Sequence, residues 1–283
     1  MPNLYPPAGP QSIGQVLDSA FRIFRVSLVR CLLFGALAMI AGQLPNLYLI
    51  ARGKPLRSFG SGDPVWFVLY FAGVILTLWM FSVLLLRQRN IAVGSPQSTS
   101  VEVSVVARRL PAILGVTLLT ACILGIGPGI LAGIYFAMDP GPAAYGVVAL
   151  GVIILLVPIT YLMTPLTFVT PSVILDGKGA LATIGYSLRL IRGNWWRTST
   201  IFTVALIVIF IFYSVATVIV GLVLSLVGAA GIAAVSAAAM AVLYVILGAM
   251  GMPFFSAVIV ATFGELKVRK EGIDLEQRVA GIA

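Results

Sequence analysis

The residue types that usually perform chemistry in proteins are few in this sequence, and they are poorly placed for catalysis. The chain has no histidine, and therefore lacks the commonest general base and the commonest metal ligand. None of its acidic residues falls in the middle of a long apolar run, where a proton or sodium relay needs an ionisable group. We therefore expect no catalytic residue, no cofactor and no metal site, and predict that the protein is not an enzyme. The acidic residues are Asp18, Asp63, Glu102, Asp139, Asp176, Glu265, Glu271, Asp274 and Glu276.

The glycine-rich run and the cysteines also favour a structural role over a catalytic one. No G-x-x-x-x-G-K-[ST] loop is present for binding a nucleotide, and the glycine-rich run GIGPGILAG (125–133) lies inside an apolar stretch, where it favours a kink or close packing. Cys31 and Cys122 each lie in an apolar run, which predicts free thiols instead of a disulfide or metal framework.

One polar feature lies within an apolar run, VPITYLMTPLTFVTPSVIL (157–175). Its three prolines leave carbonyls without helical donors, and its threonine hydroxyls can bond them, so we predict a bent or broken helix. A functional interpretation makes Tyr161, Thr164 and Pro165 a cavity wall or gate. The alternative is a kinked helix packed on its neighbours.

Composition predicts the elements that carry these residues. Mean hydropathy is +1.09 and 10% of residues are charged, against about 25% in soluble domains. The apolar runs do not alternate as barrel strands do, so we predict an all-α, polytopic membrane protein. Six runs are long enough to span a bilayer, at about 27–50, 64–87, 111–138, 145–171, 198–227 and 233–263.

The basic residues predict the orientation. Of the 18 lysines and arginines, 15 flank one side of these spans, and only Arg52, Lys54 and Arg57 flank the other. The positive-inside rule then places both termini in the cytoplasm. Because the net charge of +9 is scattered over helix ends, we expect no nucleic-acid partner. The N-terminus has no basic leader segment, so the first span is predicted to be its own insertion signal.

A basic amphipathic segment, GKGALATIGYSLRLIRGNWWRTSTIF (177–202), precedes the fifth span. Apolar residues recur at spacings of three and four, which predicts a helix lying in the cytoplasmic interface. Gly193 is a natural stop, Asn194 can cap the next helix, and the tryptophans suit headgroup depth. The alternative is a solvated connector. The apolar residues are Leu181, Ile184, Leu188 and Ile191.

Similar segments precede the first and third spans. SIGQVLDSAFRIFRVSLVR (12–30) has an apolar face containing Phe21 and Phe24 and a polar face containing Asp18. In STSVEVSVVARRLPAILG (98–115), Pro111 is predicted in the first turn of the third span, although alternating valines leave a strand open. The predicted headgroup-binding residues are Arg22, Arg25, Arg189, Arg192, Trp195, Trp196 and Arg197.

Aligning the three segments suggests a threefold pseudo-repeat within one integral membrane domain, 1–283. Its units are about 11–90, 98–175 and 177–263, preceded by a flexible N-terminus, 1–10, and followed by a cytoplasmic tail, 264–283. The alternative is that any six-helix protein needs three cytoplasmic lead-ins. In the tail, Glu265 and Arg269 suit a continuing helix that Gly272 breaks. The tail is either a solvated end or a docking site for a protein partner.

Three motifs carry a resemblance to a known family: IGQVLDSAFRIFR, ILDGKGALATIGYSLRLIRGNWWR and ELKVRKEGIDLE. They resemble bacterial inner-membrane proteins related to the membrane domain that precedes the catalytic barrel of some glycerophosphodiester phosphodiesterases. The resemblance implies a bacterial inner-membrane location. The catalytic barrel is absent, so phosphodiesterase activity is not implied.

The leading hypothesis is a non-catalytic scaffold or lipid-contacting accessory protein, with anionic membrane lipids as partners. A second hypothesis is a permease or exporter for a small or apolar molecule, gated by the proline-rich span. The third is a membrane-embedded lipid-modifying enzyme.

Overall fold

The computed structural model describes residues 4–53, 63–138, 141–227 and 233–272. Within these ranges all regular structure is helical, which confirms the predicted all-α class. The helices are α1 (Ile13–Gly42), α2 (Leu44–Ala51), α3 (Pro64–Val93), α4 (Thr99–Ala137), α5 (Pro142–Leu166), α6 (Val169–Asp176), α7 (Ala180–Ile191), α8 (Trp195–Val227) and α9 (Ala233–Glu271).

Six stretches of the described chain are long and apolar enough to cross a membrane, as predicted. They lie in α1, α3, α4, the α5–α6 stretch Pro142–Asp176, α8 and α9. The predicted first span, 27–50, is divided, because α1 ends at Gly42 and Pro45 opens the separate helix α2. At the other end of the molecule, α9 continues to Glu271 and Gly272 adopts a φ of 64°, so the predicted helical extension and its stop are confirmed.

The prediction for the start of the third span was wrong. Helix α4 begins at Thr99, so Pro111 lies inside the helix instead of in its first turn. The strand alternative for the valines at 101, 103 and 105 was wrong as well, because all three are helical. Three alternating valines are a weak signal for a strand when a long apolar helix follows directly, because that helix can extend through them. A membrane helix also tolerates an internal proline where its neighbours satisfy the freed backbone groups.

The described chain divides into two compact units, where the sequence suggested a single domain. Unit 1 comprises Met1–Arg108 with Thr200–Ala283, and unit 2 comprises Arg109–Ser199. The boundaries fall within α4 and α8, and they do not coincide with the boundaries of the predicted pseudo-repeat.

Unit 1 is built around α1, which packs along both α3 and α9. Small residues permit this close approach. A Cβ atom added at Gly35 would lie 2.7 Å from the backbone oxygen of Ala249, and one added at Gly73 would lie 2.5 Å from that of Ala41. Contacts of this kind between backbones are typical of helices that associate within a membrane, where dispersion forces replace the hydrophobic effect.

Leu4 and Tyr5 pack within unit 1, in the segment 1–10 that the sequence suggested to be flexible. The Leu4 amide donates to the Ala92 carbonyl at 2.8 Å, and Tyr5 is buried. A Cβ atom added at Gly264 would lie 2.6 Å from the Tyr5 ring, so that ring lies directly on α9.

Candidate functional site

Helix α7 is bounded by glycines in left-handed conformations. Gly177, with φ of 67°, ends α6, and Gly193, with φ of 84°, follows α7. The predicted stop at Gly193 is therefore confirmed. Helix α8 begins at Trp195, and the amide of Thr198 donates to the Asn194 carbonyl at 2.9 Å.

The surface of α7 has three sectors. The buried sector packs on α5 and α6 and contains Thr183, Tyr186, Ser187 and Leu190. From the predicted apolar face, Leu181 is 79% exposed and Leu188 is 42% exposed, while Ile191 belongs to the buried sector. Arg189 and Arg192 are exposed in the third sector. The face that packs on protein is therefore mixed, with Leu190 and Ile191 beside Thr183 and Ser187, while the two large apolar side chains Leu181 and Leu188 face outward.

The break between α5 and α6 is confirmed, and side chains satisfy the backbone around it. Because Pro165 has no amide hydrogen, the Tyr161 carbonyl lacks its helical donor. The Trp195 indole Nε1 donates to that carbonyl at 2.9 Å. Ser187 donates through its hydroxyl to the carbonyl of Pro165 itself. The start of α8 and the middle of α7 are therefore both tied to the proline break.

Threonine hydroxyls bond carbonyls in this stretch, but these are not the carbonyls that the prolines leave without helical donors, so that part of the prediction was wrong. Thr160 Oγ1 donates to the Leu156 carbonyl at 2.8 Å, and Thr167 Oγ1 donates to the Met163 carbonyl at 2.9 Å. Of the three proposed gate residues, Tyr161 is 55% exposed and stacks on Trp195 with ring centroids 5.3 Å apart. Thr164 and Pro165 are buried. The gate hypothesis stays a prediction.

Sequence reasoning missed the role of Arg109. Its guanidinium donates to the Val173 carbonyl at 3.1 Å and to the Ile174 carbonyl, both in the last turn of α6. A cation at a helix C-terminus satisfies carbonyls that lack intrahelical donors and interacts favourably with the helix dipole. Nearby, the Lys178 ammonium lies 4.1 Å from the centroid of the Tyr186 ring. Arg109 therefore stabilises the C-terminal end of α6, and Lys178 contacts α7 through Tyr186.

The predicted headgroup-binding residues lie in two places. In unit 2, Trp196 is 80% exposed, Trp195 and Arg197 are half-buried, and the two indole rings meet edge to face at 4.7 Å. Arg22 and Arg25 are exposed on α1, in unit 1. Each unit thus carries its own exposed basic residues.

Unit 1 contains a buried polar cluster that the sequence analysis also missed. Arg87 Nε donates to Glu102 at 2.7 Å, and Asn90 Nδ2 donates to the same carboxylate at 3.2 Å. Arg87 also donates to the Arg30 carbonyl at 3.0 Å. Gln88 donates to Ser27 at 3.1 Å and to the Pro253 carbonyl at 2.8 Å. The polar run RQRN (87–90) at the end of the second span was an available signal for a helix end buried by neighbours.

The helices of the described chain define its broad class. The described residues contain no group of three or more potential metal ligands, and Cys31 and Cys122 are free thiols as predicted. With six stretches able to span a bilayer, the chain is a multi-pass α-helical membrane protein. No family model matches the sequence, no curated protein is significantly similar to it, and no solved structure is significantly similar to its fold.

Proposed function

We propose that this protein is a non-catalytic, lipid-contacting accessory or scaffold protein of the bacterial inner membrane. In this proposal α7 lies in the cytoplasmic interface, and Arg189 and Arg192 bind acidic lipid headgroups. The residues Trp195 and Trp196 fix the depth of the helix. The proposal includes a relationship to the bacterial inner-membrane proteins that the three sequence motifs resemble. It does not include phosphodiesterase activity.

The three-sector surface of α7 is the observation that carries this proposal. Leu181 and Leu188 are exposed although Leu190 and Ile191 of the same helix pack on protein, so α7 has a second apolar surface that no described residue covers. Outward-facing leucines beside outward-facing arginines fit the boundary between acyl chains and anionic headgroups. Each basic residue near such a surface contributes about 1 kcal/mol of attraction.

A test compares lipid stabilisation of the wild type and of Arg189→Gln/Arg192→Gln in detergent. We expect phosphatidylglycerol or cardiolipin to raise the unfolding temperature of the wild type more than that of the double variant. Arg52→Gln, at an exposed arginine that directly follows α2, is the control and should respond as the wild type does. Equal stabilisation of the double variant and the wild type would refute the headgroup role.

The orientation with both termini in the cytoplasm is part of the proposal and can be tested by cysteine labelling. After Cys31 and Cys122 are replaced by serine, Ser95→Cys and Gly185→Cys should be labelled from the cytoplasm, and Gly141→Cys from outside. Gly185 suits the experiment because an added Cβ there meets no atom within 4 Å. Labelling of residue 141 from the cytoplasm contradicts the orientation. The sequence also predicts residues 58 and 230 outside and residue 275 inside, but these lie outside the described residues.

A permease or exporter is the second candidate function, and the break between α5 and α6 favours it. Carbonyls at this break bond side chains of α7 and α8, which rotamer changes could release. Pro165→Ala should restore a helical donor for the Tyr161 carbonyl and straighten the stretch. Under this hypothesis transport falls while membrane insertion is unchanged. If the variant is not expressed, the result indicates that Pro165 is required for helix packing and gives no support for a gate. A docking site for a protein partner in the tail remains a hypothesis, and residues 273–283 lie outside the described ranges.

A further inference from the structure

An apolar cavity of about 150 Å³ lies between α1, α8 and α9, wholly within unit 1. Its lining has no polar surface. Apolar cavities of about this size stay dry and accept a molecule of roughly benzene's volume. The part of a ligand that fills the cavity must therefore be apolar. The lining residues are Phe21, Phe24, Val208, Ile209, Phe212, Tyr213, Met250, Gly251 and Phe254.

Aromatic rings make the walls of the cavity well defined. Phe254 on α9 contacts two rings of α1, with centroids 5.0 Å from Phe21 and 5.5 Å from Phe24. The one polar group at the wall is already bonded, because the Tyr213 hydroxyl donates to the Leu247 carbonyl at 2.8 Å. That bond holds the ring against Gly251, where an added Cβ would overlap the hydroxyl.

The cavity opens to the outside of unit 1, since the rim residues Phe21, Val208 and Phe212 are all exposed. Its α8 wall runs from Val208 to Tyr213, within a continuous run of apolar residues. Acyl chains surround such a helix in a bilayer.

The α1 wall lies beside basic residues. Arg22 follows Phe21 directly, and Arg25 is four residues after Phe21, so it falls on the same face one turn further along. Both arginines are exposed. Asp18 is also exposed one turn before Arg22, which leaves this face with two positive charges against one negative charge. A ligand with an apolar chain and an anionic head matches both features.

We propose that the cavity binds an acyl chain of an anionic phospholipid, whose phosphate is held by Arg22 and Arg25. This inference rests on the proposed lipid-contacting function and adds a discrete binding site in unit 1, separate from the α7 residues. Bulk lipid solvates every exposed helix face, whereas this site retains one lipid through purification.

The decisive experiment fills the cavity and counts bound lipid by native mass spectrometry after purification in detergent with phosphatidylglycerol. Val208→Trp places a large ring in the cavity and should remove the retained lipid. Val218→Trp on the same helix is the matched control, because Val218 is exposed but does not line the cavity. Equal retention of phosphatidylglycerol by these two variants overturns the proposal.

The charge requirement is tested by Arg22→Gln/Arg25→Gln. Loss of both charges should weaken retention of phosphatidylglycerol by roughly thirtyfold, at about 1 kcal/mol for each charge, and should weaken retention of phosphatidylcholine less, because its choline cation makes that lipid neutral overall. If the wild type retains both lipids equally, the site does not select an anionic lipid and the proposal fails. Arg189→Gln/Arg192→Gln should keep the cavity lipid, so failure of the headgroup role of α7 and failure of this site give different results.

Discussion

Two arginines, Arg87 in unit 1 and Arg189 in unit 2, have the same chemistry in opposite surroundings. Arg87 is 11% exposed, is paired with a carboxylate that is 1% exposed, and lies 4.5 Å from the centroid of the Phe34 ring. Arg189 projects from the exposed side of α7. The first arginine has its partners within the protein, whereas the second is available to partners outside it. Sequence position alone does not separate them, because both lie close to the end of an apolar run.

The comparison separates charges that hold the fold from charges that can recognise a ligand. A buried ion pair costs desolvation energy and becomes strongly destabilising when only one partner is removed. An exposed charge near an anionic surface contributes modestly to stability, and its effect depends on lipid and salt. The predictions below test this division, beginning with the largest effect.

Removing the carboxylate in Glu102→Ala should destabilise unit 1 by about 3 kcal/mol, because Arg87, which is 11% exposed, and the buried Asn90 then lose their shared acceptor. Thermal unfolding in detergent measures the loss, and poor expression is the extreme form of it. Replacing both residues, in Arg87→Met/Glu102→Leu, should recover much of the stability. A double variant as unstable as the single variant contradicts the account.

Gly35→Val should destabilise the α1–α9 packing by about 1–3 kcal/mol, since the new side chain overlaps the Ala249 backbone, which cannot rotate away. Gly14→Val is the matched control on the same helix, because an added Cβ there meets no atom within 4 Å. Unfolding temperatures of the two variants measure the difference. Similar values would show that the close approach contributes little.

Trp195→Phe should cost about 0.5–1.5 kcal/mol, because the Tyr161 carbonyl loses the indole donor that replaces the missing amide of Pro165. Trp196→Phe provides the comparison, since that ring is largely exposed. We expect the loss for Trp195→Phe alone, measured by thermal unfolding without added lipid. Equal effects of the two substitutions would assign the indole donor no role at the break.

Arg189→Gln should leave the unfolding temperature in lipid-free detergent unchanged, because exposed substitutions rarely alter stability by more than about 0.5 kcal/mol. The same measurement after addition of phosphatidylglycerol should separate it from the wild type. If Arg189→Gln is less stable than the wild type in lipid-free detergent, Arg189 stabilises the fold as Arg87 does.

The sequence predicted the spans well because hydropathy is a property of single segments. It also predicted the stops at Gly193 and Gly272, where a left-handed conformation favours glycine. The proline run predicted the break between α5 and α6. Each of these features depends on residues within a few turns of one another.

Features that depend on distant residues could not be predicted. The pairing of Arg87 with Glu102 needs α4 to begin twelve residues before Pro111, and the sequence analysis placed the start at that proline. The capping of α6 by Arg109 and the bond from Trp195 to Tyr161 join segments 64 and 34 residues apart. No periodicity within one helix encodes such contacts. The aromatic cavity is similar, because it exists only where three helices meet.

The packing of α1 against α9 sets an order for assembly during synthesis. The bond from Arg269 to the Gln11 carbonyl joins residues 258 positions apart, and the Tyr5 ring rests on Gly264. At about 5–20 residues per second, the ribosome takes roughly 10–40 s to pass from the end of α1 to the start of α9. Throughout that interval the small-residue face of α1 has only part of its final neighbours. Unit 1 is therefore completed last, and a nascent chain stalled before α9 displays Gly35 and its neighbours to lipid, chaperones and membrane proteases.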